Sequence, residues 1–248
     1  MKLIMKEIRF FYVPDACLQH ELPIEEAMHA VKVLRLKSGD EIHLTDGCGC
    51  FYEAEVTMAT TKRCLYAIKK ELPQQKGWRG RIHVAMAPTK MMDRVEWFVE
   101  KATEIGIDEF SFLGCDYSER KTIKMDRIER IVVSAVKQSR KPWKPKVNPM
   151  TSFKNFIVEP HFGHKFIAHC YEEIERKDLF TMLQFPGTSF SDQEIVILIG
   201  PEGDFSTEEV ALAMKSGYHC VSLGNARLRT ETAALSAAMM AQLTRRMN

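Results

Sequence analysis

The sequence predicts an α/β protein in two parts, a small β-barrel followed by a larger domain with a mostly parallel sheet. In residues 6–72, short strand-like runs alternate with turns, at the spacing typical of a small barrel. From Arg81 onward, continuous apolar runs alternate with helical patterns, as in parallel sheets. We therefore predict domains at 1–72 and 81–248, joined by a linker at 73–80 that contains a proline and two glycines.

The first domain is predicted to hold four strands and one helix. The helix covers 24–34, where apolar residues stand at positions 24, 27, 28, 31 and 34. Asp46-Gly47 starts a turn between two strands. The predicted strands are Arg9–Val13, Glu41–Thr45, Cys50–Val56 and Arg63–Ile68.

The second domain is predicted to alternate five strands with four helices. One helix carries an apolar stripe from Val95 to Ile105 and ends at Gly106. Two others begin at capping boxes, Asp126 to Glu129 and Ser206 to Glu209, and end near Arg140 and at Gly217. The last helix is Ala233–Arg246. The predicted strands are Ile82–Ala87, Ile107–Leu113, Lys165–Cys170, Glu194–Gly200 and Cys220–Leu223.

Composition excludes several classes of protein. The chain has 248 residues, 45% of them hydrophobic, and 35 basic side chains nearly balance 33 acidic ones, unlike a disordered chain. No apolar run approaches the roughly 20 residues that span a bilayer, and the first ten residues lack the apolar core of a signal peptide. Seven cysteines without a secretion signal predict reduced thiols in the cytoplasm. No histidine or cysteine set has zinc-site spacing, so we predict no metal.

The positive charge is concentrated in one segment. Residues 119–148 hold ten basic and three acidic side chains, a net charge of +7, whereas the rest of the chain carries −5. Trp143 lies near the end of this segment. Such a basic stretch with an aromatic residue is typical of nucleic-acid binding, although a solvated helix face followed by a linker has the same pattern.

Two loops at strand ends are candidates for a ligand site. Leu198–Phe205 has two glycines and a proline between a buried strand and a capped helix, and Leu223–Thr232 is a polar loop with two arginines and a glutamate. Ligands bind beyond the carboxyl ends of parallel strands, so we expect these loops to share a pocket. The sequence has no phosphate-binding loop, dinucleotide fingerprint or nucleophile elbow. We therefore predict a ligand without a polyphosphate, such as one with an adenosyl group.

These loops occur in a series of motifs that resembles the RsmE family of the SPOUT superfamily. RsmE enzymes methylate N3 of a uridine in small-subunit ribosomal RNA. The resemblance covers nearly the whole chain, and its most specific part is the pair of loop motifs. The motifs are Arg9–Phe11, Val33–Asp40 with Asp46-Gly47, Glu100–Gly106, Ser118–Arg120, Gln138-Ser139, Ile199–Gly203, Leu223-Gly224 and Leu228–Ala233.

The resemblance implies a PUA-like barrel for RNA binding and a SPOUT domain with a deep trefoil knot, in a homodimer. It implies S-adenosylmethionine as the methyl donor, 16S ribosomal RNA in the 30S subunit as substrate, uridine 1498 as target and a role in ribosome biogenesis. Asp204 stands where the family usually has glycine. The implied donor-binding residues are His169, Cys170, Ile199, Gly200, Pro201, Glu202, Gly203, Leu223, Gly224, Leu228 and Thr230.

Methylation at N3 requires loss of the N3 proton, which places negative charge on the uracil oxygens. We expect Arg229 to stabilise this charge and Glu231 either to orient Arg229 or to accept the proton. A purely structural ion pair between these two residues is the alternative. The residues expected to contact RNA are Arg9, Arg35, Arg120 and Arg140.

Three other functions remain open from the sequence. The chain could methylate a ribose 2′-hydroxyl, although the PUA-like N-terminus and the Leu228–Thr232 motif favour N3. It could be an RNA-binding assembly factor without catalysis, a reading that Asp204 allows. A metal-dependent hydrolase would need ligands that the sequence does not provide.

Overall fold

The computed structural model describes residues 9–184 and 193–246. Contacts divide the chain into two compact units. The first unit consists of 1–76 together with 133–144, and the second of 77–132 together with 145–248.

The first unit is built on a four-stranded sheet in the order β1-β2-β3-β4. β1 runs parallel to β2, and the other neighbours are antiparallel. The four predicted strands are present, and the last two are longer than expected. In the described residues, β1 and β4 stand at the two ends of this order, and closure of the sheet into a barrel stays a prediction. The strands are β1 (Phe10–Tyr12), β2 (Glu41–Thr45), β3 (Cys50–Ala59) and β4 (Cys64–Pro73).

One helical segment packs on this sheet. The helix predicted at 24–34 is α-helical only over α1 (Ile24–Met28) and continues as a π-helical segment, His29–Val33. Ala27 and Ala30 of this segment are buried against Phe11, Ile42 and other apolar side chains of the sheet. The apolar spacing thus located the helix, but it did not distinguish the wider π-helical turns.

The segment 133–144 belongs to the first unit, whereas the sequence placed it in the second domain. The Gly49 N–H donates to the Pro142 carbonyl, and the Lys144 N–H to the Gly47 carbonyl, both at 2.8 Å. Trp143 covers Gly49 so closely that a Cβ on that residue would lie 2.3 Å from the indole ring. The turn that begins at Asp46 therefore binds a segment almost a hundred residues away, which no local pattern could reveal.

The second unit is a seven-stranded sheet in which every neighbouring pair is parallel, as predicted. Its order is β7-β6-β5-β10-β8-β11-β9. The five predicted strands are present, and the prediction missed β7 and β9. The strands are β5 (Arg81–Met86), β6 (Glu109–Gly114), β7 (Lys146–Ser152), β8 (Gly163–Ala168), β9 (Lys177–Asp178), β10 (Glu194–Ile199) and β11 (His219–Ser222).

Six helices accompany these strands in the described residues. Ser206 and Glu209 form the predicted capping box of α6, whereas Asp126 lies within the first turn of α3 rather than at its cap. The prediction missed α4 and α5. None of the helices in the described parts of the chain combines the length and apolar character needed to cross a bilayer. The helices are α2 (Met92–Ile105), α3 (Met125–Gln138), α4 (Phe153–Val158), α5 (Leu179–Gln184), α6 (Thr207–Lys215) and α7 (Thr230–Arg245).

Strand order places three loops side by side. β10 lies between β5 and β8, and β11 lies on the far side of β8. Residues 195–199 of β10 are buried, as expected for the centre of a sheet covered on both faces. The carboxyl ends of β8, β10 and β11 are therefore neighbours, and the loops that follow them leave the same edge of the sheet.

Candidate functional site

A cavity of about 930 Å³ lies at this edge of the sheet. Its volume is in the upper part of the range for small-molecule sites. The lining comes from the ends and following loops of β8, β10 and β11, from the start of α7, and from Arg94 of α2. The lining residues are Arg94, Ala168, His169, Cys170, Glu172, Arg176, Ile199–Glu202, Asp204, Val221–Thr230 and Ala233.

Ten of the eleven donor-binding residues expected from the resemblance line this cavity, together with Arg229. The exception is Gly203, which instead faces Tyr117: a Cβ at Gly203 would lie 3.2 Å from the Tyr117 Cβ. Glu231 also lies outside the lining, although it follows Thr230 directly. The structure thus brings both predicted loops to one cavity.

The loop after β10 is a tight turn held from both sides. A Cβ at Gly200 would lie 3.0 Å from the main-chain nitrogen of Phe205, so the turn leaves no room for a side chain there. The Asp204 N–H donates to the Pro201 carbonyl at 3.0 Å. Glu202 Oε1 accepts a hydrogen bond of 2.9 Å from the Lys90 N–H, which ties the turn to the loop after β5.

Asp204 occupies the position where the resembled family usually has glycine, and its φ of 69° is one that glycine adopts most easily. Its carboxylate compensates with two main-chain hydrogen bonds. Oδ2 accepts from the Cys170 N–H at 2.7 Å, and Oδ1 accepts from the Phe205 N–H at 2.8 Å. Asp204 therefore joins the loop after β8 to the loop after β10.

Two side chains at the end of β8 give the cavity polar and sulfur groups. His169 is buried, and neither ring nitrogen has a hydrogen-bond partner among the described residues. Burial lowers the pKa of His169, which favours a neutral ring that can donate from one nitrogen and accept at the other. Burial, together with the nearby Asp204 carboxylate, raises the pKa of the Cys170 thiol. Cys170 is therefore protonated at neutral pH and is not an activated nucleophile.

The structure pairs Glu231 with a different arginine from the one expected. Arg229 is exposed at the N-cap of α7, and among the described residues it forms no ion pair with Glu231. Glu231 Oε1 instead lies 3.7 Å from Arg94 Nε, and its Oε2 is buried without a hydrogen-bond partner. Sequence reasoning missed Arg94. Arg94 could have been found from its place in the sequence, in the first turn of the helix that follows β5. That turn begins at the edge of the sheet where the ligand loops lie.

The four arginines expected to contact RNA differ in their surroundings. Arg120 donates from Nε to the Thr89 carbonyl at 3.1 Å and from Nη2 to the Lys90 carbonyl at 2.5 Å, so its guanidinium is used to hold the loop after β5. The other three lie in the first unit. Arg9 donates to the Leu34 carbonyl, Arg35 is exposed with a φ of 55°, and Arg140 lies 5.6 Å from the centre of the Phe10 ring.

Part of the positive charge in residues 119–148 is balanced by acidic partners elsewhere in the chain. Lys137 Nζ lies 2.5 Å from Glu26 Oε1 in the first unit, and Arg127 Nε lies 2.5 Å from Glu96 Oε1 in the second. The basic segment is therefore a less concentrated source of positive potential than its sequence indicates.

A buried polar cluster occupies the other ends of the strands. His83, Glu109 and Glu194 present ligand-type atoms within 4.8 Å of one another. Arg81 and Lys146 both form ion pairs with Glu109. Burial lowers the pKa of His83 to about 4, so its ring is neutral at pH 7. The cluster is thus a network of ion pairs that the sequence analysis did not find.

Two family models match the chain. Residues 76–242 match the RNA methyltransferase domain, and residues 23–68 match the PUA domain of RNA methyltransferases. Among curated proteins, Ribosomal RNA small subunit methyltransferase E of Rickettsia conorii is 24% identical over 225 residues, covering 90% of this chain and 89% of that protein. The Bacillus subtilis protein of the same name is 25% identical over 221 residues, covering 86% and 85%.

Solved structures resemble the chain over nearly its full length. A probable rRNA-methyltransferase from Porphyromonas gingivalis is 40% identical with a TM-score of 0.86, covering 96% of this chain and 98% of that one. Ribosomal RNA small subunit methyltransferase E from Neisseria gonorrhoeae, bound to S-adenosyl methionine, is 25% identical with a TM-score of 0.81, covering 95% and 97%.

Proposed function

This chain belongs to the RsmE family of RNA methyltransferases, and from that premise we propose that it methylates N3 of one uridine in 16S ribosomal RNA, with S-adenosylmethionine as the methyl donor. By the family resemblance, the target is uridine 1498 and the reaction belongs to maturation of the small ribosomal subunit. The observation that carries the proposal is the cavity at the carboxyl ends of β8, β10 and β11.

The residues of this cavity fit the methyl donor. Turns that expose main-chain groups suit an adenosyl group, and the unpartnered ring nitrogens of His169 are free to bind a polar ligand. The residues proposed to hold the donor are His169, Cys170, Ile199, Gly200, Pro201, Glu202, Leu223, Gly224, Leu228 and Thr230. When bound, S-adenosylmethionine supplies a methyl group on a positively charged sulfur.

The chemistry at uridine is proposed to depend on charged side chains of the loop after β11. N3 of uridine is a weak acid, and its deprotonation leaves negative charge on the neighbouring oxygens. A cation placed in a cavity sheltered from water stabilises such charge. Arg229, which lines the cavity at the start of α7, is proposed for this role, and Glu231 for orienting a cation or accepting the proton.

Binding of RNA is assigned to the first unit and its family-matched PUA region. Arg9, Arg35 and Arg140 are the proposed contacts, whereas the bonds that Arg120 makes to main-chain carbonyls favour a structural role for that residue. N3 lies on the pairing edge of uracil, so the base must be unpaired or extruded before it reacts. Because the grooves of folded RNA display little readable sequence, a target formed in the 30S subunit is proposed.

A homodimer and a trefoil knot complete the proposal, both from the family resemblance. What supports the dimer is a set of exposed apolar side chains on α2 and α7, which pack against each other. Trp97 of α2 is 43% exposed, and Met239 and Leu243 of α7 are 39% and 47% exposed. A second copy of the chain would cover such side chains. Light scattering on Leu243→Asp should then report a monomer where the unaltered chain is dimeric.

The test of the function is methylation of 16S ribosomal RNA in a defined reaction. Purified protein, S-adenosylmethionine and either 30S subunits or naked 16S RNA lacking the modification are incubated, and the product nucleoside is mapped by mass spectrometry. We expect N3-methyluridine, formed on subunits in preference to naked RNA. A 2′-O-methylated product would replace the proposed reaction, and absence of donor binding in calorimetry would exclude enzymatic activity altogether. Gly200→Val, whose side chain would collide with Phe205, serves as the inactive control.

A further inference from the structure

Arg94 is the one cation in the cavity that does not come from a strand-end loop. Among the described lining residues, it alone belongs to α2, where it lies in the first helical turn. The other arginines of the cavity lie in the loops after β8 and β11. Regular secondary structure holds a functional group more rigidly than a loop does, so Arg94 is the cation with the best-defined position.

Glu231 forms an ion pair with Arg94. The Glu231 carboxylate lies at the start of α7, its side chain is only 10% exposed, and Oε1 faces Arg94 Nε at 3.7 Å. A buried carboxylate needs a nearby positive charge, and Arg94 provides it. The side chain of Arg94 is 36% exposed, and Arg94 lines the cavity. The guanidinium of Arg94 therefore lies between the Glu231 carboxylate and the space of the cavity, where it can meet a ligand.

We propose that Arg94, oriented by Glu231, is a further catalytic residue that donates hydrogen bonds to the uracil oxygen on which negative charge develops when N3 loses its proton to water. The N3–C bond then forms as the bond between the methyl group and the donor sulfur breaks, and the sulfur leaves as a neutral thioether. The inference rests on the proposed function and assigns the task of charge stabilisation to a cation additional to Arg229. Arg229 is exposed and has no carboxylate partner among the described residues, whereas Arg94 has an ion-pair partner in Glu231 before the substrate arrives. Preorganised donors of this kind act on the transition state more than on the bound substrate.

Single-turnover kinetics separate this role from binding. The rate of methyl transfer is measured at saturating S-adenosylmethionine and saturating 30S subunits for the unaltered protein, Arg94→Met, Arg94→Lys and Glu231→Gln. Calorimetry gives the dissociation constant of S-adenosylmethionine for each. Lys101→Met is the matched control, since Lys101 is a cation of the same helix that pairs with Glu100 and Glu104 outside the cavity.

Arg94→Met should slow methyl transfer by about 10²- to 10³-fold, the usual effect of removing one preorganised donor, and leave donor affinity and RNA affinity unchanged. Arg94→Lys should recover part of the rate, because lysine keeps the charge but not the planar pair of donors. Glu231→Gln should slow the reaction less, since it leaves Arg94 in place but no longer held. Lys101→Met should react at the unaltered rate.

The double variant Arg94→Met/Glu231→Gln decides whether Glu231 acts through Arg94. The double variant removes both charges and therefore leaves no buried carboxylate without a cation. It can be measured even if Arg94→Met alone fails to fold for that reason. If Glu231 is a positioning residue, the double variant is as slow as Arg94→Met. A further loss in the double variant would identify Glu231 as an independent proton acceptor and overturn the pairing.

Full activity of Arg94→Met, or a fall in donor affinity that matches the fall in rate, would overturn the role of Arg94. Neither result would affect N3 methylation by the unaltered protein, which tests the proposed function separately.

Discussion

Replacing Asp204 by glycine should weaken donor binding even though it restores the residue usual in the resembled family. The change removes the acceptors of the Cys170 and Phe205 N–H groups, which lie 2.7 and 2.8 Å from the carboxylate. A hydrogen bond to a charged acceptor contributes about 1.5–3 kcal/mol, less where water can replace it. Glycine adopts a φ of 69° without the strain that a Cβ causes there, and this offsets the loss by about 1 kcal/mol. The net loss of binding free energy should be about 2 kcal/mol, which corresponds to a roughly 30-fold larger dissociation constant.

Isothermal titration with S-adenosylmethionine measures this loss, and Asp204→Asn is the matched control. Asparagine tolerates the positive φ and keeps one acceptor without the charge, so its affinity should lie between those of the other two proteins. Thermal unfolding shows whether the loss is confined to the cavity. Donor affinity in Asp204→Gly equal to or greater than that of the unaltered protein would show that the two loops hold their positions without the carboxylate.

Three other predictions address the rest of the molecule. Gly49→Ala should destabilise the first unit by roughly 2 kcal/mol, because φ is 108° and the new Cβ meets Trp143; thermal unfolding of this variant beside Gly39→Ala, where φ is 90° but nothing lies within 4 Å, isolates the collision. Arg120→Ala should weaken donor binding by loosening the loop after β5, while the salt dependence of RNA binding stays unchanged; a slope lower by about one would instead identify an RNA phosphate contact. Burial lowers the pKa of His83 from 6.5 to about 4, so the unfolded chain binds more protons between these pH values and stability must fall as the pH drops through them. Denaturant titrations at pH 7.5 and 4.5 should show about 2–3 kcal/mol more loss in the unaltered protein than in His83→Gln, and equal losses would contradict the depressed pKa.

The sequence was sufficient to predict the elements that carry strong periodic or capping signals. The parallel strands β5, β6 and β10 are buried apolar runs, and Ser206 and Glu209 form the capping box that marks the start of α6. Strands β7 and β9 lie at the edges of the sheet, where fewer side chains are buried, so their apolar patterns are weak. The short helices α4 and α5 have six residues each, too few for a clear helical period.

The site was predictable where its residues lie in contiguous motifs and unpredictable where it depends on distant contacts. The turn at Gly200 and the loop at Leu223 share a cavity because strand order brings their strands together, as the general rule for parallel sheets anticipates. The partner of Glu231 is Arg94, more than a hundred residues earlier, and not its near neighbour Arg229. Proximity in sequence suggested a pair with Arg229, but Arg229 is exposed at the N-cap of α7 and forms no ion pair with Glu231 among the described residues.

The division of α3 between the units limits how the protein can be dissected. The helix begins in the second unit, and its last residues, with the segment through Lys144, belong to the first. A fragment that stops at residue 76 would leave Gly49 without Trp143 above it and Glu26 without Lys137. Recombination between related genes could therefore exchange the first unit intact only by transferring two separate stretches of coding sequence.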